Sequence, residues 1–545
     1  MSVDPRSQGV LWKFAGLFLV WAAAALPVVA GRSGQSTATK EFQQTLTLGA
    51  NQTVSVDHKY GEVRIHAEGG RDVRISATIR AQAHSEEAAN KFAEQVKIEV
   101  SQDGQGIKVR TVYPDDGSGL FKIRVGGPSY SVDYDIAVPS DAKLWVKNGF
   151  GNVEIAGVRG WADIENSHGQ LNVRDGGASK LANSFGSVEA SGADGNVTIA
   201  NTNGTVRASS VKGTLEVRDR FASITVTNVA GAVTINGGNG AVELTDSGAA
   251  KINNSFGSVN ARNVHGDLTV NNNNGSIEAD TVSGGAQLNG SFGPISFANM
   301  NGYVKCTSSN GKVTGRATGN EVYVKTTFGE VVLEQIGGNV VVEDSNGAVN
   351  VRDIKGKATL DTSFGAINAS GLPRGVRATT GNGRIELRDV GGDTFAKTSF
   401  GAVNVQRVNG NLTIENTNGP VSANSVKGDL TARTSFGAAS FEDIGGSISV
   451  DNQNGVVSIS AARTSGGCKS ITAKTSFSPM QIRLPENASY DLTARTSFGH
   501  ITSELPVTAS GQIGGDSLNG KIGGGGCTLS LTNSNGNIEI LRLVK

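Results

Sequence analysis

The chain has little cysteine, no net charge and no histidine cluster, and each absence excludes a class of protein. Its 545 residues include three cysteines, Cys306, Cys468 and Cys527, all at apolar positions of the repeat described below. We therefore predict three reduced core residues and no disulfide framework. The 49 basic side chains equal the 49 acidic ones, and no basic run or stripe is present. A neutral surface of this kind argues against nucleic-acid binding.

The pattern of acids and histidines does not resemble a catalytic or metal-binding site. The six histidines are dispersed without metal-ligand spacing, and no nucleophile elbow or phosphate loop is present. Acids at one outward repeat position never occur in two neighbouring coils: they are Glu154, Glu189, Glu243, Glu278 and Glu386. β-Helical polysaccharide lyases and hydrolases need carboxylates close together. We predict no catalytic residue, no metal and no cofactor, and hence a protein that is not an enzyme.

Long hydrophobic runs are absent except near the start. Arg6 and Lys13 precede an apolar run from Phe14 to Ala30, which ends in small residues. This pattern predicts a signal peptide over residues 1–30, with an N-terminal membrane anchor as the alternative. Both interpretations predict export to the periplasm, the cell surface or the medium, without membrane contact beyond that segment.

What the chain does contain is a glycine that recurs every 18 residues. From 151 to 455 there are seventeen intervals, fifteen of 18 residues and two of 17, and Ala222 replaces the glycine once. Apolar residues follow each glycine at offsets of 2, 4, 7, 11 and 13, as Val403, Val405, Val408, Leu412 and Ile414 do after Gly401. Two period-2 pairs with a break between them indicate two short strands per repeat. We predict an all-β fold: one long parallel β-solenoid of about 18 residues per coil, with right-handed winding.

The residue before each glycine alternates between Phe and Asn, so the true period could be 36 residues. Asn-Gly is a turn signal, whereas Phe has no turn propensity and must pack. We favour a Phe that folds over the corner and is buried; the alternative is an exposed aromatic row that binds a partner. Repeated Asn is expected to point outward and form ladders between coils, or to match the hydroxyls of an extended glycan. The candidate interaction edge comprises Phe256, Phe292, Phe328, Phe364, Phe400, Phe436, Asn274, Asn310, Asn346 and Asn418.

The regions on both sides of the regular array differ from it. Residues 36–147 alternate apolar and polar residues in several stretches, and we expect a β-rich cap domain that covers the first coil. Its helical stretch is Ser85 to Val100, with Ser85 as the N-cap. The solenoid is expected over 148–545, with irregular coils from about 456, where the intervals lengthen. The Gly/Pro-rich stretch from Pro114 to Gly127 is expected to be a surface loop.

Tandem coils of the form Asn183-Ser-Phe-Gly-Ser-Val-Glu-Ala190 and Asn272-Asn-Asn-Gly-Ser-Ile-Glu-Ala279 follow an export signal and a strand-rich region. In this arrangement, over about residues 40–545, the chain resembles the bacterial putative-adhesin family of β-helical envelope proteins. The resemblance implies a surface or periplasmic location and no established catalytic residues.

We therefore expect a non-catalytic envelope or surface protein that acts as an adhesin or scaffold. Its expected partner is a surface glycan or an envelope protein. The alternatives are a polysaccharide-active β-helix enzyme and an envelope-stress regulatory partner that acts through residues 36–147.

Overall fold

The structure is a computed structural model that describes residues 36–114, 129–461, 469–510 and 514–543. The predicted signal peptide, most of the loop predicted from Pro114 to Gly127, and Cys468 lie outside these ranges. Over the described residues the chain forms 51 strands and one helix. None of the helical segments in those ranges has the length and apolar character needed to span a membrane.

The N-terminal region contains seven strands and the helix. They are β1 (Ser36–Thr47), β2 (Thr53–Asp57), β3 (Val63–Glu68), β4 (Asp72–Ala83), α1 (Glu86–Gln95), β5 (Lys97–Asp103), β6 (Gly106–Val112) and β7 (Ser129–Pro139).

The regular array contains two strands per coil. They are β8 (Lys143–Phe150), β9 (Val153–Ala156), β10 (Ala162–His168), β11 (Leu171–Arg174), β12 (Ser179–Phe185), β13 (Val188–Ala193), β14 (Val197–Asn203), β15 (Val206–Val211), β16 (Leu215–Asp219), β17 (Ile224–Val229), β18 (Val233–Asn236), β19 (Val242–Ser247), β20 (Ala250–Phe256), β21 (Val259–Val264), β22 (Leu268–Asn274), β23 (Ile277–Val282), β24 (Ala286–Gly290), β25 (Ile295–Met300), β26 (Val304–Thr307), β27 (Val313–Thr318), β28 (Val322–Lys325), β29 (Val331–Ile336), β30 (Val340–Glu343), β31 (Val349–Ile354), β32 (Ala358–Thr362), β33 (Ile367–Leu372), β34 (Val376–Thr380), β35 (Ile385–Val390), β36 (Thr394–Thr398), β37 (Val403–Val408), β38 (Leu412–Asn416), β39 (Val421–Val426), β40 (Leu430–Thr434), β41 (Ala439–Ile444), β42 (Ile448–Asn452) and β43 (Val457–Ala461).

The C-terminal region adds eight strands. They are β44 (Ile471–Thr475), β45 (Met480–Leu484), β46 (Tyr490–Thr496), β47 (Ile501–Ser503), β48 (Val507–Ala509), β49 (Ser517–Ile522), β50 (Cys527–Asn533) and β51 (Ile538–Arg542).

The array is a parallel β-solenoid, as the repeat predicts. Each strand pairs in parallel with its equivalent in the next coil, so that Val403 of β37 lies beside Val421 of β39. The odd-numbered strands of the array form one sheet and the even-numbered strands a second sheet. The apolar offsets point inward: Val405, Val408 and Leu412 have no measurable solvent exposure. Equivalent residues therefore stack into continuous columns of small apolar side chains, which form the core.

One corner of each coil uses a backbone conformation that the repeat analysis missed. Six residues after the repeat glycine, the chain has φ near +55°, as at Asn263 (54°), Asp353 (57°) and Asp443 (55°). This left-handed conformation costs least for Gly, Asn and Asp. Most coils carry such residues there, but Thr281 has φ 58° and Arg407 has φ 57°. The tight turn lets the chain pass from the first strand to the inward residue at offset 7.

The first coils are not stacked in chain order. Strands β2 and β3 form a coil that lies between the β6/β7 pair and the β8/β9 pair, with parallel pairing on both sides. Beyond it, β5 pairs antiparallel with β6, and β4 pairs antiparallel with β7 and β1. The Ser85 hydroxyl caps α1 by accepting from the Ala88 amide, as predicted. The helix ends at Gln95 and not at Val100, because the alternating residues from Lys97 onward form β5.

The last coils are also interleaved. The final pair, β50 and β51, lies between β44/β45 and β46/β47, although it follows both in the sequence. Strand β49 then pairs antiparallel with β46 and covers that end. The prediction of three reduced cysteines is wrong for Cys527, which is disulfide-bonded, whereas Cys306 is free and buried. The interleaving places β50, which begins at Cys527, beside β44, and the repeat positions in the sequence do not show this neighbourhood.

Candidate interaction edge

The repeat glycines form a column in which each α-carbon lies against the carbonyl oxygen of the preceding repeat glycine. A Cβ on Gly365 would lie 1.7 Å from the Gly347 oxygen, and one on Gly401 would lie 1.9 Å from the Gly383 oxygen. No side chain fits this approach at these two glycines unless the coils move apart, although Ala222 occupies the column once. The repeat glycines from Gly275 to Gly455 are not in the left-handed φ range, in contrast to Gly151 (130°) and Gly204 (136°). Close backbone packing, more than turn conformation, explains why glycine recurs.

Three residues before most repeat glycines, a buried polar side chain fills the inside of the corner; Gly237 and Gly290 are the exceptions. The Asn183 amide donates to the carbonyl oxygens of Gly169 (3.0 Å) and Gly186 (2.9 Å). The Asn416 amide makes the same bonds to Gly401 (2.9 Å) and Gly419 (2.8 Å). The expectation that such Asn residues point outward is wrong here, because the corner carbonyls have no other donor at that position.

Outward Asn ladders do occur one residue earlier in part of the array. The amide of Asn253 donates to the side-chain oxygen of Asn236 (2.9 Å), that of Asn271 to Asn253 (2.8 Å) and that of Asn289 to Asn271 (2.9 Å). These bonds run along the rod and tie four successive coils together. The predicted coil-to-coil role therefore holds for this group.

The residues immediately before the repeat glycines form a single exposed column, which we call the edge column. Phe256 lies directly beside Asn274 in the parallel pairing, so Phe and Asn alternate along the rod. All ten residues proposed from the sequence belong to this column. The favoured prediction of buried rings is wrong: Phe256 is 52% exposed and Phe292 68% exposed. In most coils the inside of the corner is already filled by the buried polar residue two positions earlier, as by Asn254 before Phe256, so the ring stays outside; before Phe292 that position is Gly290, and the Ile295 side chain lies against it.

The Asn members of the edge column lie against the backbone. In several coils the side-chain amide donates to the carbonyl oxygen of the residue that precedes Phe in the previous coil. The bonds join Asn274 to Ser255 (3.2 Å), Asn310 to Ser291 (3.4 Å), Asn346 to Thr327 (3.0 Å) and Asn418 to Ser399 (3.2 Å). Because the short amide folds onto the chain, the space between successive Phe rings stays open. Each slot has Asn at its floor and rings on two sides, about 10 Å apart.

Phe and Asn also alternate along the edge column in the last coils, although these coils are not stacked in chain order. Phe477 belongs to the β44/β45 coil and Phe498 to the β46/β47 coil, and the interleaved last coil places Asn535 between them. The Asn535 amide donates to the Ser476 carbonyl oxygen (3.1 Å), as the other column Asn residues do. Phe498 is 80% exposed. Duplication of coils in chain order does not by itself produce this arrangement. The alternation of Phe and Asn is therefore a property of the folded surface and not only of the repeated sequence.

At the N-terminal end the edge column becomes a continuous stack of rings. The centroids of Tyr60 and Phe150 lie 5.4 Å apart, those of Phe150 and His168 4.4 Å, and those of His168 and Phe185 4.8 Å. Sequence analysis missed Tyr60, which precedes Gly61 in the β2/β3 coil. The signal was present, because Val63 and Ile65 follow Gly61 at the offsets of the repeat.

The charged side chains of one surface groove are paired with opposite charges. A groove of about 300 Å³ on the outer face of the odd-numbered strands is lined by Glu334, Arg352, Glu386 and Arg388, among others. Arg352 pairs with Glu334 at 3.0 Å, and Arg388 pairs with Glu386. Within the described ranges no group of three or more His, Cys, Asp or Glu side chains could hold a metal ion. These four charged side chains of the groove are thus paired with one another on a solvated face.

Buried ionisable groups lie in the corners. Burial lowers the pKa of His58 to about 4, and its Nδ1 lies 3.0 Å from the Thr111 hydroxyl and 3.2 Å from that of Tyr113. His58 occupies, in the β2/β3 coil, the corner position that Asn fills elsewhere. Asp344 occupies the same position in a later coil, and burial raises the pKa of its carboxyl. Both groups lie inside corners of the solenoid.

Comparison with known proteins does not assign the chain to a family. No family model matches it, and no curated protein matches it. A crystal structure of a putative cell adhesion protein from Clostridium sporogenes is 11% identical over 38% of this chain and 100% of that one, with a TM-score of 0.19. A likeness at that score supports neither fold nor function. The resemblance to the putative-adhesin family stays a prediction from the repeat pattern.

Proposed function

We propose that this protein is a non-catalytic rod of the bacterial cell envelope or surface that works as an adhesin or scaffold. The observation that carries the proposal is the edge column, a row of half- to mostly exposed rings along an otherwise polar, charge-balanced solenoid. Soluble proteins rarely expose so many large apolar side chains along one line unless that surface binds something. The rod presents the same surface many times, which favours multivalent attachment to a repetitive partner.

The disulfide at Cys527 supports the exported location. Disulfides persist in oxidising compartments and are rare in a reducing cytosol. Together with the signal-like residues 1–30, it favours a protein outside the cytoplasm. Treatment of intact source cells with a protease that cannot enter them tests the surface location. Loss of the full-length chain under those conditions supports exposure at the surface, whereas survival until the envelope is opened indicates the periplasm.

The adhesive role is tested with beads coated with the chain lacking residues 1–30. Cells of the source bacterium and purified envelope material should adhere to these beads more than to beads coated with heat-unfolded protein. A matched variant, Phe328→Ser with Phe400→Ser, removes two rings that are 61% and 63% exposed and should reduce adhesion. Equal adhesion to native and unfolded protein would remove the basis of the proposal.

A further inference from the structure

The edge column is complementary to itself. Its rings stand two coils apart, about 10 Å, and its slots have the same spacing and are displaced by one coil. At the N-terminal end, rings in successive coils are 4.4 to 5.4 Å apart, which shows that a ring fits at every coil of this column. A ring from outside can therefore occupy each slot, between two Phe faces and above an Asn amide, at the separation of stacked aromatic pairs.

We propose that two copies of this chain associate along their edge columns in an antiparallel dimer, each inserting its Phe rings into the Asn slots of the other. The proposal rests on the proposed function, since it takes the edge column as the binding surface, and it names a second copy as the partner. A two-fold axis perpendicular to the rods reverses the order of coils in one copy. With that axis between two coils, every Phe faces an Asn. A parallel two-fold sets ring against ring at equal height and leaves the slots empty.

Charges beside the edge column favour the register described next over the registers two coils away in either direction. Four residues before the repeat glycine, an outward side chain flanks the column on the even-numbered sheet, and it is basic in the coils of Phe328 and Phe400 and acidic in those of Asn346 and Asn418. The antiparallel two-fold keeps the even-numbered sheets of both copies on the same side. These flanking residues are Lys325, Glu343, Asp361, Thr379, Lys397, Glu415, Arg433 and Asp451.

An axis between the coils of Phe364 and Asn382 places Lys325 beside Glu415 of the other copy and Lys397 beside its Glu343. Asp361 then faces Thr379. No like charges meet in this register, whereas a shift by two coils toward the C-terminus brings Asp361 opposite Glu415. Within one copy the same residues already pair along the rod, Lys325 with Glu343 at 3.5 Å and Lys397 with Glu415 at 3.0 Å. The dimer thus continues an existing alternation of charge.

The exposed area of the Phe rings is large enough for a stable interface. In this register the overlap runs from the Asn239 coil to the Phe498 coil and contains eight rings per copy, which are 52% to 80% exposed: Phe256, Phe292, Phe328, Phe364, Phe400, Phe436, Phe477 and Phe498. With about 200 Å² per aromatic side chain, these rings expose about 1,000 Å² in each copy. Specific interfaces bury about 800 Å² per partner.

Sedimentation equilibrium of the chain lacking residues 1–30 tests the dimer. The wild-type protein should be a dimer at micromolar concentration. The triple variant Phe328→Ser, Phe364→Ser and Phe400→Ser should raise the dissociation constant by at least about 100-fold, because each ring loses its buried area. The matched control is Phe185→Ser with Phe221→Ser, which removes rings that are 51% and 52% exposed but lie outside the overlap, and it should remain a dimer. Circular dichroism confirms that each variant is folded.

Spin labels determine the orientation. Ser440 and Asn368 lie on the outer face of the odd-numbered sheet, away from the flanking charges. In the antiparallel register, two labels at Ser440→Cys are seven coils apart along the rods, about 34 Å, and two at Asn368→Cys are one coil apart, about 5 Å. In a parallel dimer neither pair is displaced along the rods, and the two distances are similar.

A monomer at all concentrations, or a dimer that the triple variant leaves intact, overturns this inference. Similar distances for the two labels overturn the antiparallel arrangement. A monomeric wild-type chain that still retains cells or glycan shows that only the second-copy partner is wrong. A dimer that retains neither supports the inference and counts against adhesion as the function.

Discussion

Replacement of Gly365 by alanine should open the corner of one coil, because the backbone around Gly365 leaves no room for a methyl group, although Ala222 occupies the same column elsewhere. The new Cβ would lie 1.7 Å from the Gly347 carbonyl oxygen, so the two coils must separate by at least about 1.3 Å there. Gly365 is not in the left-handed φ range, so its backbone conformation is open to alanine and the expected loss comes from the steric clash alone.

The cost follows from the hydrogen bonds next to the clash. The Val349 amide donates to the Ala366 oxygen at 2.8 Å, and the Ile367 amide donates to the Arg384 oxygen at 2.8 Å. A separation of that size breaks the first bond and strains the second, leaving buried backbone groups without partners. At about 1–3 kcal/mol for each unsatisfied group, we expect the local free energy of opening to fall by about 2–4 kcal/mol.

Native-state hydrogen exchange measures this loss where it occurs, because the coils of a solenoid can open locally. Amides from about residue 347 to 384 should lose protection in Gly365→Ala, while those before 300 should not. Gly69→Ala is the matched control, because nothing lies within 4 Å of its Cβ position. Full protection of the Gly365→Ala coils would refute the close-approach explanation of the repeat.

Three further changes test the corners. Asp344→Asn should stabilise its coil by about 1–2 kcal/mol at pH 7, because an amide there can donate to corner carbonyls as Asn416 does. Because the pKa of Asp344 is raised in the folded protein, the free energy of unfolding of the wild type falls as the pH rises through that pKa. The difference in unfolding free energy between wild type and variant, measured by denaturant titration, should therefore disappear below about pH 4. Thr281→Asn should stabilise by about 0.5–1 kcal/mol, because its φ of 58° disfavours a β-branched residue, and an unchanged or lower unfolding midpoint would contradict this. Burial lowers the pKa of His58 from 6.5 to about 4 in the folded chain. Its contribution to the free energy of unfolding is therefore fully present above pH 6.5 and should fall by about 3 kcal/mol on acidification to pH 4. The variant His58→Asn should lack that decline in thermal unfolding measured across this pH range.

The period and the inward offsets could be predicted from the sequence, because both follow directly from the pleat of a strand and the stacking of equivalent residues. Val403 and Val405 point inward for the same reason that they alternate with polar residues. Residues whose environment is set inside one coil, such as Ser85 at the start of the helix, were also predictable.

What could not be predicted depends on contacts between coils distant in sequence. The burial of the Phe rings was predicted wrongly, because the sequence does not show that Asn or Thr already fills the corner. The order of the last coils, and with it the disulfide of Cys527, depends on β50 returning between β44 and β46. The equivalence of Tyr60 to the column Phe residues was hidden by its isolation from the array, although its flanking offsets match.

The central claim is that this rod binds through its surface and does not catalyse. The most direct test is incubation of the chain lacking residues 1–30 with a labelled panel of cell-surface and extracellular polysaccharides, with both retention and glycan chain length scored. The account predicts retention of at least one glycan at unchanged chain length. Retention of none would exclude glycan as the partner and leave an envelope protein in its place. Shortened glycan chains would contradict the claim and make the protein a polysaccharide-active enzyme.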